Sequence, residues 1–426
     1  MESTIHLIIH GQVHQRISPY QHGFLKSQSV TTNLVNFTHY VLESLARNEQ
    51  VDAVYTDFQK AFDKVNHRLL LLKMKKLNFS DSLVSFFTSY LQNRSQYVAY
   101  RGRESGLFNC PSGVPQGSTL GPLLFLIFIN DITEVISSSK ILLYADDIKL
   151  YKPITTSSDA SALQDDLNAM VSWSRGNCLP FNIKKCVKIT FTRKMKNVIE
   201  YDYKMNQISL QTKNHVRDLG VILDKRLCFD LHLNQLICKS KKMMGFVIRN
   251  ASGFREIRTF LILYYAFIRS NMEFGMLVWN PVYKKYSDKL ESIQRRYLKY
   301  IYFKVFQYYP IYLNYEELLA GFEIDSLENR RELAMLQYLH NILQGQGDST
   351  LLHEISLRVP RSNTRLIETF YVNDRQRGPL KHSFLTRACT LYNKLEKRSR
   401  GSELDIFSQP GRDFRLACRG ILTTRL

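Results

Sequence analysis

Apolar residues recur at helical spacing in "TTNLVNFTHYVLESLARNEQ", where Leu34, Phe37, Val41 and Leu45 share one face behind the capping residues Ser29, Thr31 and Thr32. "VDAVYTDF" is different: short, β-branched and aromatic, it predicts a buried strand. Residues 63–92 return to a helical pattern, and "QYVAYRGRESGLFNC" predicts a hairpin with Gly102 in or near its turn. Ser118 to Ser137 predicts a very apolar helix. "KILLYADDIKLYK" predicts two short strands with two aspartates at their connection, and "SSDASALQDDLNAMVSWS" an amphipathic helix opened by Ser or Asp. Several short strands follow, through "VRDLGVILD".

From about residue 231 the pattern changes to longer helices. In "DKLESIQRRYLKYI", Leu290, Ile293, Tyr297 and Ile301 fall on one side, with Lys289, Arg295, Arg296 and Lys299 elsewhere. Residues 231–300 hold thirteen Lys and Arg against four Asp and Glu. "LQGQGDST", Leu343 to Thr350, reads as a linker. The tail beyond it, with "KRSRGSE", reads as a small appendage. No internal repeat or low-complexity block interrupts this order.

Composition sharpens the picture. The 426 residues are 44% hydrophobic and 12% aromatic, which predicts a globular chain. Its net charge of +20 points to a polyanionic partner, most often nucleic acid. Seven scattered cysteines form no CxxC pair and no zinc-like spacing with histidine, so they predict reduced, incidental thiols. The longest apolar run, "PLLFLIFI", is far short of the ~20 residues that span a bilayer. No secretory signal pattern opens the chain, so a soluble, unsecreted protein without a membrane partner is expected.

The chemistry lies in the acids. Asp146 and Asp147 sit side by side in the apolar stretch "ILLYADDIKLY". Adjacent like charges raise each other's pKa unless a cation compensates. Oxygen ligands of this kind suit Mg²⁺, which keeps several waters and accepts substrate phosphates. One hairpin rarely completes such a site. Asp57, at the end of the strand "VDAVYTD", is the candidate third carboxylate, and three such groups can hold two metals for a phosphoryl transfer. Asp63, six residues on, reads as structural, paired with Lys60 or Lys64. In "SGVPQGSTLGPLLF", Pro115 sets one turn, while Gly113, Gly117 and Gly121 permit close backbone approach. Gln116 can both donate and accept hydrogen bonds there.

"YTDFQKAFDKVNH", "SGVPQGSTLGPLLFLIFINDI" and "LLYADDIKLY", in this order and with 89 residues from Asp57 to Asp146, resemble the palm of reverse transcriptases. The resemblance is to enzymes of non-LTR retrotransposons of the jockey and CR1 kind. "QHGFLKSQSVTTNL", "LNAMVSWSRGNCLPFNIKKC" and "VRDLGVILD" resemble flanking motifs; "YYAFIRSNMEFGMLVWNP" and "LESIQRRYLKYI" resemble the thumb. The likeness covers about residues 18–310 well and the tail weakly.

The resemblance implies an α+β fold: a right-hand polymerase palm over 51–230, partial fingers over 1–50, a helical thumb over 231–342 and a small appendage over 351–426. It implies an RNA-directed DNA polymerase that adds dNTPs to a primer 3′-hydroxyl on an RNA template. Asp57, Asp146 and Asp147 become the catalytic, metal-holding carboxylates, for two Mg²⁺ ions that Mn²⁺ can replace. Phe58 is placed at the substrate beside Asp57. Phe62 falls where a bulky ring blocks a ribose 2′-hydroxyl. Gln116 and Gly117 would contact the incoming nucleotide and template, with Tyr144 and Ala145 completing the YADD box. Lys185, with Lys184 a near-equal alternative, falls near the pyrophosphate leaving group. Leu219 and Gly220 match the turn that grips the primer end. The implied partners are RNA template, DNA primer or target, and dNTPs. The implied setting is an intracellular, nuclear or cytoplasmic ribonucleoprotein.

The chain also departs from that pattern. Only "MESTIHLIIHGQVHQRISPY" precedes "QHGF", and it offers Arg16 alone as a weak triphosphate contact. The expectation is an amino-terminally truncated enzyme without the upstream endonuclease. The alternative is a catalytically inactive relic or co-opted protein that only binds nucleic acid. A two-carboxylate hydrolase such as a glycosidase explains neither the charge nor the Gly/Pro box.

Overall fold

A computed structural model describes residues 2–14, 16–309, 311–346, 349–359, 368–372, 378–399 and 404–423. The chain divides into two compact units, 1–33 with 48–214, and 34–47 with 215–426. The fold is α+β, with a five-stranded sheet in the first unit and long helices in the second.

The sheet comprises β1 (Gln50–Thr56), β2 (Lys140–Tyr144), β3 (Asp147–Ile154), β4 (Val187–Phe191) and β5 (Gln211–Thr212), ordered β5-β4-β1-β3-β2. β1 is central and antiparallel to both neighbours, its Thr56 opposite Ile148 of β3 and its Tyr55 opposite Val187 of β4. A buried central strand needs apolar residues on both faces. Val51, Ala53 and Val54 provide them, and all are fully buried. β2 and β3 form a hairpin in which Tyr144 pairs Asp147, leaving Ala145 and Asp146 as a two-residue turn. Ala145 takes φ +56°, in the left-handed region such tight turns use.

Several expected elements differ in extent. The apolar helix is α-helical only over Gly121–Ile129 and continues as a 3₁₀ helix over Asn130–Val135. Ser118 starts it by accepting the Gly121 N–H at 2.8 Å. Its apolar run ends at Asn130, whose side chain turns away to hold Ser18 N and Arg16 O. The helix is buried all round, which explains why "PLLFLIFI" lacks amphipathic periodicity. Residues 63–92 are helical as expected, as a 3₁₀ turn (Ala61–Lys64) followed by two α-helices (His67–Lys76, Asp81–Leu91). Asn66 and Ser80 cap those α-helices, and Asn78 at φ +55° breaks the chain between them. The hairpin 95–109 forms as expected, turning through Arg101 and Gly102, both at positive φ. The helix Ser157–Gly176 is opened by Thr156, not by Ser or Asp. Its hydroxyl takes the Asp159 N–H while Asp159 returns a bond to Thr156 N. Among the described residues, no helix is long and apolar enough to cross a membrane.

Asp166, 2% exposed, pins the Ser137–Ser139 turn that leads into β2. Its carboxylate accepts the N–H of Ser137, Ser138 and Ser139 at 2.7–3.0 Å, and the hydroxyls of Ser137 and Ser138. Burial alone would raise its pKa. The converging donors win and hold it at about 2. Because the folded pKa lies below that of the unfolded chain, the stabilisation is full above pH ~4 and is lost as pH falls towards 2. Allowing for screening, it amounts to about 1–2 kcal/mol. Urea unfolding at pH 7 and pH 3 checks this: the wild type should lose about half of that increment on acidification to pH 3, and Asp166→Asn should lack it at both pH values.

In the second unit, the helix Val30–Ala46 contributes Leu34, Phe37, Val41 and Leu45, all buried. At the other end of that helix, Ser29 and Thr32 exchange N–H to hydroxyl bonds, so Ser29 is the cap. A strand pair, His215–Asp218 with Val221–Asp224, precedes the helices Asp230–Asn250, Lys284–Phe306 and Leu327–Leu343. Leu290, Ile293, Tyr297 and Ile301 are buried, as their spacing predicts. The helices Phe384–Arg398 and Gly411–Thr423 pack on Leu327–Leu343, where the His340 ring meets Gln409 O at 2.9 Å. Gly347 and Asp348 of the expected linker, and 400–403 of "KRSRGSE", lie outside the described residues.

Candidate active site

Asp57 is the first residue beyond β1. Its carbonyl accepts the Asn182 N–H at 2.7 Å, and Phe58 bridges to Phe181, so the segment after the helix Ser157–Gly176 clasps the strand end. Thr56 stands opposite Ile148, so one step further along β1 brings Asp57 level with the start of β3 and the Ala145–Asp146 turn. Asp57 Oδ2 is buried and accepts no hydrogen bond. The Lys185 ammonium stands 3.1 Å from that same oxygen as its ion pair. Lys184 is exposed, and of the two lysines it is Lys185 that meets Asp57.

Burial raises the pKa of Asp146, and the negative charge of Asp57 raises it further, against a hydrogen bond from its own backbone. Asp57 and Asp146, remote in sequence, therefore feel each other directly. Asp147 is exposed at the first position of β3. Among the described residues, no three His, Cys, Asp or Glu side chains form a group able to hold a metal ion. The fold thus sets Asp57 and Asp146 within electrostatic reach of each other. A buried carboxylate oxygen paired with a largely exposed lysine, beside a second carboxyl whose charge is disfavoured, is a site still short of positive charge. A divalent cation, which takes oxygen ligands, fits that shortage.

The turn carrying Asp146 is held by residues the sequence reading had placed only in a flanking motif. Gln21, 3% exposed, accepts the N–H of both Ala145 and Gly23 on Oε1, each at 2.8 Å. His22 N donates to Leu143 O, Leu143 N donates to Tyr20 O, and Asn33 Nδ2 donates to Leu143 O at 3.0 Å. Residues 20–23 thereby run along β2. A Cβ on Gly23 would stand 2.5 Å from Ala145 N, so the close approach requires glycine. The signal in the sequence was "QHGF" itself: a polar pair before a glycine with no turn partner in view.

Phe62 and Gln116 come together through the backbone. Gly113 N donates to Val65 O and Val114 N to Phe62 O. Gly113, at φ +91°, has no room for a Cβ, which would meet Asp63 O at 2.8 Å. The Phe62 ring stacks on Phe125 at 4.3 Å and meets Phe24 edge-on. Asp63 differs from expectation: it accepts from Gln116 Nε2 at 2.7 Å, while Lys64 reaches Gln59. The backbone pairing that brings 113–116 against 62–65 puts Gln116, and not a lysine, in its reach. Beside Gln116 opens a polar cavity of about 510 Å³, lined in part by Asp63, His67, Arg94, Gln96 and Asn109. Gly117, at φ +80°, has open space around it. Phe58 is 4% exposed and stacked on Phe181 at 4.3 Å, in the core. Tyr144 is half-buried and Arg16 exposed. In the second unit, Leu219 and Gly220, at φ +43° and +92°, form the turn between His215–Asp218 and Val221–Asp224.

Residues 1–223 match the family model described as reverse transcriptase (RNA-dependent DNA polymerase). The probable RNA-directed DNA polymerase from transposon BS of Drosophila melanogaster is 29% identical over 298 residues, covering 67% of this chain and 33% of that protein. The RNA-directed DNA polymerase from mobile element jockey of the same fly is 27% identical over 300 residues, covering 68% and 32%. Its counterpart from Drosophila funebris is 32% identical over 233 residues, covering 53% and 25%. The chain therefore spans about a third or less of the length of these relatives. Among solved structures, apo telomerase from Candida tropicalis is a distant likeness, with TM-score 0.41 and 12% identity over 82% of this chain and 54% of that one.

Proposed function

The chain belongs to the reverse transcriptase (RNA-dependent DNA polymerase) family, and from that premise we propose that it acts as an RNA-directed DNA polymerase, transferring nucleotides from dNTPs to a primer 3′-hydroxyl on an RNA template. The observation that carries this reading is the carboxylate pair at the sheet end, Asp57 paired with the largely exposed Lys185 and Asp146 with its disfavoured charge. In this reading the first unit is palm with partial fingers, and the long helices of the second are thumb.

Asp57 and Asp146 would hold divalent cations, Mg²⁺ or Mn²⁺, with Asp147 from the start of β3. When bound, such ions make the primer hydroxyl more acidic and offset charge on departing pyrophosphate. Lys185 is a largely exposed cation at the same carboxylate and would offset phosphate charge as it develops. Gln116, fixed by Asp63 at the edge of the polar cavity, would leave its carbonyl oxygen as an acceptor for a base or sugar. Phe62, locked by its stack on Phe125, is a rigid wall where a 2′-hydroxyl would have to fit. Phe62→Val is expected to raise the ratio of ribonucleotide to deoxyribonucleotide incorporation by about 10-fold or more, measured by single-turnover extension with each nucleotide. An unchanged ratio would remove Phe62 from this role.

The second reading is a protein that binds nucleic acid without extending a primer. It draws on one observation: the three carboxylates do not form a single metal-holding group. Primer extension separates the two. The full chain is given a primed RNA template, dNTPs and Mg²⁺ or Mn²⁺, with Asp146→Asn as control. Incorporation by the wild type alone supports the polymerase. Binding of the duplex by both, with incorporation by neither, supports the second reading.

A further inference from the structure

Phe24 follows directly on the glycine that braces the Asp146 turn, and burial does not explain it. Its ring is 54% exposed, whereas Leu25 beside it packs on the buried core. Its backbone sits at φ +57°, a left-handed conformation that is costly for a bulky aromatic residue. The chain has no slack at that point. Gly23 N donates to Gln21 Oε1 at 2.8 Å, and Gly23 leaves no room for a Cβ against Ala145 N. An exposed ring on a strained backbone gains little from packing. Such strain persists where the surrounding structure holds a side chain in a required place, which is most often a functional site.

What Phe24 meets is Phe62. The two ring centroids stand 6.3 Å apart with the planes at 84°, a favourable edge-to-face arrangement. Phe62 is half-buried, its ring stacked on Phe125 at 4.3 Å and its carbonyl accepting the Val114 N–H at 2.9 Å. A stack alone fixes the plane of a ring. A second ring set nearly at right angles confines its remaining movement. Rigidity decides how well such a wall works. An apolar surface that can yield rejects an added hydroxyl only weakly, so exclusion of a 2′-hydroxyl needs a ring that stays in place. Phe62 lies on the segment leaving Asp57, and Phe24 on the segment that braces Asp146 through the Ala145 turn. Their contact joins the two.

We propose that Phe24 is a specificity-determining residue of the nucleotide site, a positioning residue that acts through Phe62. It holds the Phe62 ring against the sugar of the incoming nucleotide, so that the pair, and not Phe62 alone, sets the preference for deoxyribonucleotides. The inference rests on the polymerase reading and on the role of Phe62 within it.

The test uses the full chain on a primed RNA template, with single-turnover extension by a dNTP and by the matching ribonucleotide. Phe24→Ala is expected to raise the ratio of ribonucleotide to deoxyribonucleotide incorporation several-fold, mainly through a lower half-saturating concentration of the ribonucleotide. Phe24→Tyr keeps the ring and should keep the wild-type ratio. In a Phe62→Val background, Phe24→Ala should move the ratio no further, because its effect passes through Phe62. The exposed ring adds little to stability, so Phe24→Ala should melt close to the wild type. Phe24→Gly accepts the positive φ and carries the test if Phe24→Ala fails to fold. An unchanged ratio, or a change that adds in full to that of Phe62→Val, overturns the proposal. Equal losses with both nucleotides, in step with a fall in melting temperature, mark a purely structural role and overturn it too. In each of these outcomes the wild type extends the primer, so the polymerase reading stands while the inference falls. A wild type that extends with neither nucleotide defeats that reading and the inference together.

Discussion

Asp146→Asn is expected to lower nucleotide incorporation by about 10³-fold or more, on the order of 4 kcal/mol of lost transition-state stabilisation. Asp57→Asn should do the same. The two differ in what they do to the resting protein. The Asp146 charge is disfavoured by burial and by Asp57, so its folded pKa lies above that of the unfolded chain. The ionised form therefore costs stability as pH rises through that pKa, and Asp146→Asn removes the cost. The variant should melt no lower than the wild type at pH 7 while being inactive. Asp57 has its Lys185 contact, and losing it leaves only a largely exposed ammonium, a cheap loss. Adding Mg²⁺ should raise the melting temperature of the wild type and leave that of Asp146→Asn nearly unchanged. If Asp146→Asn retained most of the incorporation, the carboxylate pair would not be the catalytic centre.

Gly23→Ala should lower kcat/KM for incorporation by about 10²-fold, although residue 23 contributes no side chain to the chemistry. The added methyl would stand 2.5 Å from Ala145 N, against backbone that cannot rotate away. Relief requires moving the turn or breaking the Gln21 contacts that fix it, and either displaces Asp146. Some stability goes too, about 1–3 kcal/mol for an overpacked buried contact. Gly11→Ala is the control, since its Cβ would meet nothing within 4 Å and its site is helical. Single-turnover extension below the melting temperature separates misplacement from unfolding. If Gly23→Ala loses activity only in proportion to its unfolded fraction, the glycine serves stability alone.

Much of this molecule was legible along the chain because local rules and tertiary packing agree. The strand "VDAVYTD" and the hairpin around Ala145 form, because β-branched runs and a tight turn leave few other solutions. The faces of Val30–Ala46 and Lys284–Phe306 follow helical periodicity for the same reason. Where polar side chains reached beyond their own segment, expectation failed. Asn130 ended the apolar helix by holding Ser18 and Arg16, and Asp63 was claimed by Gln116.

The amino-acid order by itself determined which residues could do the chemistry: acids amid apolar neighbours, a Gly/Pro turn, a basic helical half. It could not determine distance. Only the three-dimensional packing brought Asp57 within electrical reach of Asp146 and set Lys185 and not Lys184 on it. Only packing turned Gln21 and Gly23 into the brace of the turn. The reason is physical. Composition and spacing report what a segment wants to bury or expose, whereas charge coupling and steric exclusion depend on separations of a few ångströms between segments far apart in the chain.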